Sequence, residues 1–287
     1  KLKVSEFFIG LIVVGFGTSL CELLVSIDAV IKNSPDISVG NVIGSNIANI
    51  LLVTFAAGMT KELKSINVSS FDLAFHLGSH FFFLMIFLFS FLDRDFGFFF
   101  LILFFLYLFK SFRNSESENI EETNIETDLF SKLAYKKPLN LGLPISIIAI
   151  TITLLGADIT VDSAINISSI LNISDSFIGL TIIALGTSLP EIATSITAAK
   201  KGKSNIIVGN IIGSNIYNLL LILGFTSLFE NFSYDKKILS NDVIFLFLSS
   251  LFFTILIYKK KKIRKSISLF CIIIYFLYLL YLYLNNF

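Results

Sequence analysis

The stretch "GTSLCELLVSIDA" at residues 17–29 has a near copy, "GTSLPEIATSITA", at residues 186–198. Extended outward, residues 8–53 align with residues 177–222 without a gap, and about half of the aligned positions are identical. A shared content of Leu and Ile would not produce such a match. The chain therefore contains an internal repeat, and the orientation of its two copies decides the architecture.

The composition predicts a protein that crosses a membrane many times. The chain has 287 residues, of which 55% are apolar and 32 are Phe, and its mean hydropathy is +0.83. A soluble domain of this length cannot bury so much apolar surface. The net charge of only +1 argues against a nucleic-acid partner.

The hydropathy pattern predicts an all-α fold, because apolar runs of about 20 residues, the length that crosses a bilayer core, recur along the chain. We expect spans at residues 5–31, 37–59, 69–92, 96–112, 139–171, 176–199, 205–229, 241–258 and 266–286. The polar segment 113–138 is predicted to be a flexible linker. It divides the chain into a first half, 1–112, and a second half, 139–287.

The placement of basic residues predicts the topology, because loops rich in Lys and Arg stay cytoplasmic. With nine spans, all but four of the 22 basic residues fall on the side of the N-terminus and the linker; the exceptions are Lys32, Arg94, Lys236 and Lys237. The linker is then cytoplasmic and the C-terminus lies outside. The two copies of the repeat begin on opposite sides of the membrane, as in secondary transporters, whose substrate site lies near the midplane.

Each copy carries one glutamate in its first helix, Glu22 or Glu191, with hydroxyl residues three and four positions earlier on the same face. The second helix of each copy adds a Ser and an Asn four positions apart. Two carboxylates among hydroxyl and amide oxygens favour a hard cation such as Ca²⁺ or Na⁺. The candidate side-chain ligands are Glu22, Glu191, Thr18, Ser19, Thr187, Ser188, Ser45, Asn49, Ser214 and Asn218.

The charge of this predicted site suggests how transport is coupled. Two carboxylates balance one Ca²⁺, and without a cation they repel each other. The site therefore requires Ca²⁺, several Na⁺ or protons before it can cross an occluded state. A structural alternative stays open for the hydroxyl residues, because such side chains often donate a hydrogen bond to a carbonyl of their own helix.

Glycines flank both motifs and predict close helix packing or breaks that free carbonyl oxygens; they are Gly15, Gly17, Gly40, Gly44, Gly186, Gly209 and Gly213. Pro190 interrupts the helix just before the second glutamate, whereas Cys21 takes that place in the first copy, where a break is less expected. Cys21 and Cys271 are interpreted as buried thiols.

Two other clusters are weaker candidates. His76 and His80 lie four residues apart but have no third ligand nearby in sequence and no counterpart in the other copy, so a metal site is disfavoured. Asp158 and Asp162, in the later part of the fifth span, face either the bundle or an outer vestibule and are weak candidates for the ion path.

"GTSLPE" together with "GNIIGSNIYN" resembles the alpha-repeats of the bacterial-type sodium/calcium exchanger family, within the calcium/cation antiporter superfamily. The resemblance implies ten transmembrane helices in two inverted halves of five, and we expect the first helix of the first half to be missing from this chain. It also implies that Glu22 and Glu191 are the central ligands and that Gly15 and Ala184 offer backbone carbonyls. Asn218 stands where some exchangers carry Asp.

The function implied is secondary active exchange of Ca²⁺ for Na⁺ by alternating access, in a bacterial plasma membrane. An exchanger of the same fold coupled to H⁺ or K⁺ is the alternative. A cation channel is a weaker alternative, because the inverted repeat disfavours it. No enzyme motif, cofactor or obligate protein partner is expected; the expected partners are Ca²⁺, Na⁺ and the lipid bilayer, with H⁺ as a possible substrate.

Overall fold

The computed structural model describes residues 5–89, 93–116, 138–229, 232, 234, 236–259 and 262–286. These residues are almost wholly helical and include nine helices long and apolar enough to cross a membrane. They are α1 Glu6–Ile31, α2 Pro35–Thr60, α3 Ser70–Phe89, α4 Arg94–Glu116, α5 Pro138–Leu171, α6 Asp175–Lys200, α7 Ser204–Thr226, α8 Lys236–Tyr258 and α9 Lys265–Asn286. The predicted all-α class and span count are confirmed; most of the predicted linker lies outside the described residues.

The ends of α2 and α7 show that the two repeats are inverted. The loop that follows α2 contacts the beginning of α7: the backbone N–H of Lys64 donates to Ser204 Oγ at 3.1 Å, and that of Asn67 donates to Asn205 Oδ1 at 2.8 Å. Because α2 and α7 are equivalent helices of the two copies, the end of one lying at the start of the other means that they run in opposite directions.

Lys32, just after α1, joins the two halves at the opposite side of the bundle. Its Nζ lies 2.8 Å from Asp28 Oδ2, 2.7 Å from Asp158 Oδ1 and 2.8 Å from Asp162 Oδ1. Partial burial acts to lower the pKa of Lys32, but hydrogen bonds to the three carboxylates outweigh it and raise the pKa above its ordinary value. The ammonium group therefore stays charged and holds α1 against α5.

Helices α2 and α7 form the centre of the bundle and are the most buried of the nine. Each crosses the first helix of the other copy at a glycine. A Cβ added to Gly44 would lie 2.4 Å from the carbonyl oxygen of Leu180, and one added to Gly213 would lie 2.5 Å from that of Leu11. Only glycine permits this approach, so the predicted close packing is confirmed at both positions.

Close packing does not occur at Gly17 and Gly186, where an added Cβ would meet nothing within 4 Å. The other expected outcome, a break in the helix, is found beside them, because Ser19 and Ser188 interrupt the two helices two residues later.

Among the outer helices, α3 and α8 pack closely against each other, and a buried tyrosine–aspartate hydrogen bond links α3 to α4 and α8 to α9. Tyr107 of α4 donates to Asp72 of α3, and Tyr278 of α9 donates to Asp242 of α8, both at 2.9 Å. The outer faces of α4 and α9 expose rows of large apolar side chains, which suits contact with lipid. The outer helices brace the central helices that carry the site.

Candidate cation-binding site

Helices α1 and α6 are each interrupted beside the glutamate that the sequence singled out. Ser19 in α1 and Ser188 in α6 both have ψ at 0°, and each divides its helix into two segments. Glu22 and Glu191 lie in the first turn of the segment that follows. The break forms in α1 without a proline, so Cys21 does not prevent it; the matching conformation of the two copies points to tertiary packing as the cause.

Wide π-helical turns flank the motifs at equivalent places in both copies. One lies before each break, at Ile9–Val14 and Gly179–Ile183, and another lies at the end of each second motif, at Asn49–Val53 and Tyr217–Ile222. Such turns loosen the regular backbone ladder and are frequent at functional sites. The four turns occupy equivalent positions in the two copies, so they are a shared feature of the repeat.

Glu22 and Glu191 are both fully buried. Thr187 approaches the Glu22 carboxylate, while Thr18 and Ser214 approach that of Glu191. Among the described residues, however, no donor reaches hydrogen-bonding geometry with any of the four carboxylate oxygens. Two unpaired buried carboxylates are costly in a protein interior unless a cation accompanies them.

The hydroxyls of the two copies cross over to the opposite repeat. Thr187 Oγ1 donates to Asn41 Oδ1 at 3.1 Å, and its counterpart Thr18 donates to Asn210 Oδ1 at 3.4 Å. Ser45 Oγ lies 3.3 Å from Thr187 Oγ1. Each threonine hydroxyl also lies near a carbonyl oxygen of its own helix, and its single proton serves one acceptor at a time. The bond back to the helix is the shorter one for Thr18, and the cross-repeat bond is the shorter one for Thr187.

The carbonyls of Gly15 and Ala184 face these hydroxyls. The Gly15 carbonyl lies 3.3 Å from Thr18 Oγ1 and 3.4 Å from Ser214 Oγ. That of Ala184 lies 3.4 Å from Thr187 Oγ1. Both carbonyls therefore belong to the same oxygen-rich centre as the glutamates.

The other predicted ligands are buried, and each lies within four residues in sequence of a residue of this centre. The hydroxyls of Ser19 and Ser188, both side-chain atoms of Asn49 and Oδ1 of Asn218 have no hydrogen-bond partner among the described residues. The oxygens among these atoms are available to a cation. Their role as ligands stays a prediction.

Asn41 and Asn210 lie within the repeated motifs but are not among the predicted ligands. Asn41 Nδ2 donates to Ser26 Oγ at 3.0 Å, and Asn210 Nδ2 donates to Ser195 Oγ at 3.4 Å. With their nitrogens so engaged, both amides turn their oxygens to the threonines. Identity of all four residues in the two copies was the signal that could have found them.

Of the weaker candidates, the two aspartates lie apart from this arrangement, whereas His76 contacts Asn215 in the second motif. Asp158 and Asp162 are more than half exposed and pair with Lys32. His76 and His80 are buried against α8 and α7, and in the described part of the chain no three His, Cys, Asp or Glu residues gather into a metal site. The expectation of two buried thiols is confirmed for Cys271 and wrong for Cys21, which is half-buried.

Two inverted copies of a broken helix, each bringing an unpaired carboxylate to one oxygen-lined interior, define a membrane transporter of the inverted-repeat class. Comparison with known proteins makes this specific. Residues 1–113 and 141–284 match the model of the family described as sodium/calcium exchanger protein. The chain belongs to the sodium/calcium exchanger family.

Individual relatives agree. The chain is 33% identical to inner membrane protein YrbG of Escherichia coli over 274 residues, which cover 90% of this chain and 80% of the relative. It is 32% identical to sodium/calcium exchanger MaX1 of Methanosarcina acetivorans, covering 80% of this chain and 75% of the relative. A structure of the sodium-calcium exchanger NCX_Mj, soaked with Na⁺ and Sr²⁺, matches with a TM-score of 0.70 and 31% identity, covering 96% of this chain and 86% of that one.

Proposed function

We propose that the protein is a secondary active antiporter that exchanges Ca²⁺ for Na⁺ by alternating access, with both ions bound between Glu22 and Glu191. The observation that carries the proposal is the pair of buried, unpaired carboxylates, one from each inverted repeat. Two negative charges balance one Ca²⁺ or two Na⁺, so each ion can neutralise the same interior in turn. Membership of the family and the similarity to sodium/calcium exchanger MaX1 support the choice of ions.

Inverted repeats support alternating access. Two copies of one unit with opposite orientation have two equivalent ways to pack, one open to each side of the membrane. Because the carboxylates repel each other when unoccupied, crossing with an empty site is disfavoured, and this couples the movement of one ion to that of the other.

The proposed location is a bacterial plasma membrane, with the linker in the cytoplasm and the C-terminus outside. The excess of Lys and Arg on the side of the linker supports this orientation. The inward Na⁺ gradient would then drive Ca²⁺ out of the cell. Ions are substrates here; the proposal includes no resident cofactor and no enzymatic step.

The test is Ca²⁺ uptake into proteoliposomes that hold the purified chain. Vesicles loaded with Na⁺ and diluted into Na⁺-free medium should take up Ca²⁺, whereas K⁺-loaded vesicles and vesicles with only a pH gradient should not. Uptake driven by a pH or K⁺ gradient but not by a Na⁺ gradient would show that H⁺ or K⁺, and not Na⁺, is the coupling ion. Ca²⁺ current without any counter-ion would indicate a channel instead.

A further inference from the structure

Three asparagines and one histidine form a chain of hydrogen bonds in the core, and one of them, Asn218, is a predicted ligand. The side chain of Asn46 donates from Nδ2 to the main-chain carbonyl of Asn215 at 3.3 Å. Asn218 donates from Nδ2 to Asn46 Oδ1 at 3.0 Å. Asn215 Nδ2 lies 3.4 Å from Nε2 of His76, a buried residue of α3.

Donor and acceptor chemistry fixes the direction of this chain. A main-chain carbonyl only accepts, so Asn46 must turn its nitrogen to Asn215. Its oxygen then faces Asn218 and accepts only a donor, so Asn218 must turn its own nitrogen to Asn46. The remaining atom of that amide is Asn218 Oδ1, which is buried and has no hydrogen-bond partner among the described residues.

The arrangement departs from the symmetry of the repeats. Asn49 is the counterpart of Asn218 in the first copy, yet neither atom of its amide has a hydrogen-bond partner within the described ranges. His76 lies outside the aligned repeat and contacts Asn215, the residue that carries the anchoring carbonyl. Only one of the two equivalent amides is therefore oriented by its neighbours.

We infer that Asn46 is a positioning residue of the cation site: it holds the amide of Asn218 so that its oxygen, and not its nitrogen, is available to the ion. A cation accepts an amide oxygen as a ligand and is repelled by the amide nitrogen with its hydrogens. The inference rests on the proposed function in two respects, namely that the ion is Ca²⁺ or Na⁺ and that Asn218 is one of its ligands.

The same geometry determines which type of side chain is favoured at position 218, opposite Asn46. If residue 218 were an aspartate, its ionised carboxylate would face the oxygen of Asn46 and the two acceptors would repel each other, whereas only a protonated acid could donate to Asn46. Asn46 therefore favours an amide over an acid at position 218. Removal of Asn46 should relieve this restriction, which a purely structural contribution of Asn46 would not do.

The experiment is a double-mutant cycle read by equilibrium binding of Ca²⁺ to the purified protein in detergent. Asn46→Leu alone should weaken binding about fivefold to tenfold, the effect of one lost amide hydrogen bond. Asn218→Asp should bind Ca²⁺ more tightly in the Asn46→Leu background than in the background that retains Asn46. Asn46→Ala gives the same cycle if Asn46→Leu does not yield monodisperse protein.

Three controls separate the outcomes. His76→Phe should weaken binding in the same direction as Asn46→Leu, whereas His80→Phe, which removes a side chain bonded to the carbonyl of His76, should have a smaller effect. An unchanged affinity of Asn46→Leu, or an equal effect of Asn218→Asp in both backgrounds, would overturn the inference. Ca²⁺ binding with the expected coupling but no exchange in vesicles would instead overturn the proposed transport function alone, and a protein that binds no Ca²⁺ would overturn both.

Discussion

Thr187 donates a hydrogen bond of 3.1 Å to the amide oxygen of Asn41, a residue of the opposite repeat. The equivalent residues Thr18 and Asn210 make the same contact at 3.4 Å. Each copy of the repeat thus completes the polar cluster of the other. Neither half contains a complete site by itself.

Removal of either central charge should abolish exchange. Glu191→Gln and Glu22→Gln each leave one carboxylate, which cannot balance a divalent cation in a buried site. Na⁺-dependent Ca²⁺ uptake into proteoliposomes measures the effect. Glu62→Gln, on the surface beside Lys64, serves as the control and should transport normally, whereas normal transport by Glu191→Gln would refute the role of that residue as a central ligand.

Loss of the threonine hydroxyls should weaken the response to Ca²⁺ without abolishing it. Thr187→Val and Thr18→Val keep the shape of the side chain but remove a hydrogen bond worth about 1 kcal/mol, which corresponds to about a fivefold rise in the half-saturating Ca²⁺ concentration. Thr197→Val on the same helix as Thr187 removes only an exposed bond to Ala193. If this control shifted Ca²⁺ dependence as much as Thr187→Val, the cross-repeat contact would have no special role.

The helix crossings should tolerate no side chain at their glycines. Gly44→Ala and Gly213→Ala would force a Cβ into a carbonyl oxygen of the opposite repeat, at a cost of about 1–3 kcal/mol. The midpoint temperature of thermal unfolding in detergent should fall for both. Gly186→Ala meets open space and should leave the midpoint unchanged; equal loss in all three variants would contradict the proposed packing.

Lys32 should stabilise the contact between α1 and α5 over the whole neutral range. Its raised folded-state pKa means that the contribution is fully present below the ordinary lysine pKa of about 10.4 and is lost as the pH rises through the folded value. Lys32→Met should therefore lower the unfolding midpoint equally at about pH 7 and pH 9.

High salt offers a second check on this ion cluster, because the charges of Asp158 and Asp162 are more than half exposed and are screened by ions. The difference between Lys32→Met and the unaltered chain should shrink as salt is added. A difference that salt does not change would assign the stabilisation to packing of the lysine side chain instead.

The sequence predicted much of the fold because its signals are local. Hydropathy placed the nine helices within a few residues of their observed bounds, and the repeat identified Glu22 and Glu191 as equivalent. The same signals failed where the cause was not local. A proline before Glu191 suggested a break in α6 only, yet Ser19 breaks α1 in the same way without one.

By itself, the sequence determined the helices, their inversion and the chemistry of the candidate site, because hydrophobic length, charge bias and residue type can all be read along one chain. Only the tertiary structure decided which amides orient the site. The contacts of Asn41 with Thr187 and of Asn46 with Asn215 join residues about half the chain apart, and the direction of a hydrogen bond depends on which atom faces which partner. That geometry exists only once the two repeats have packed against each other.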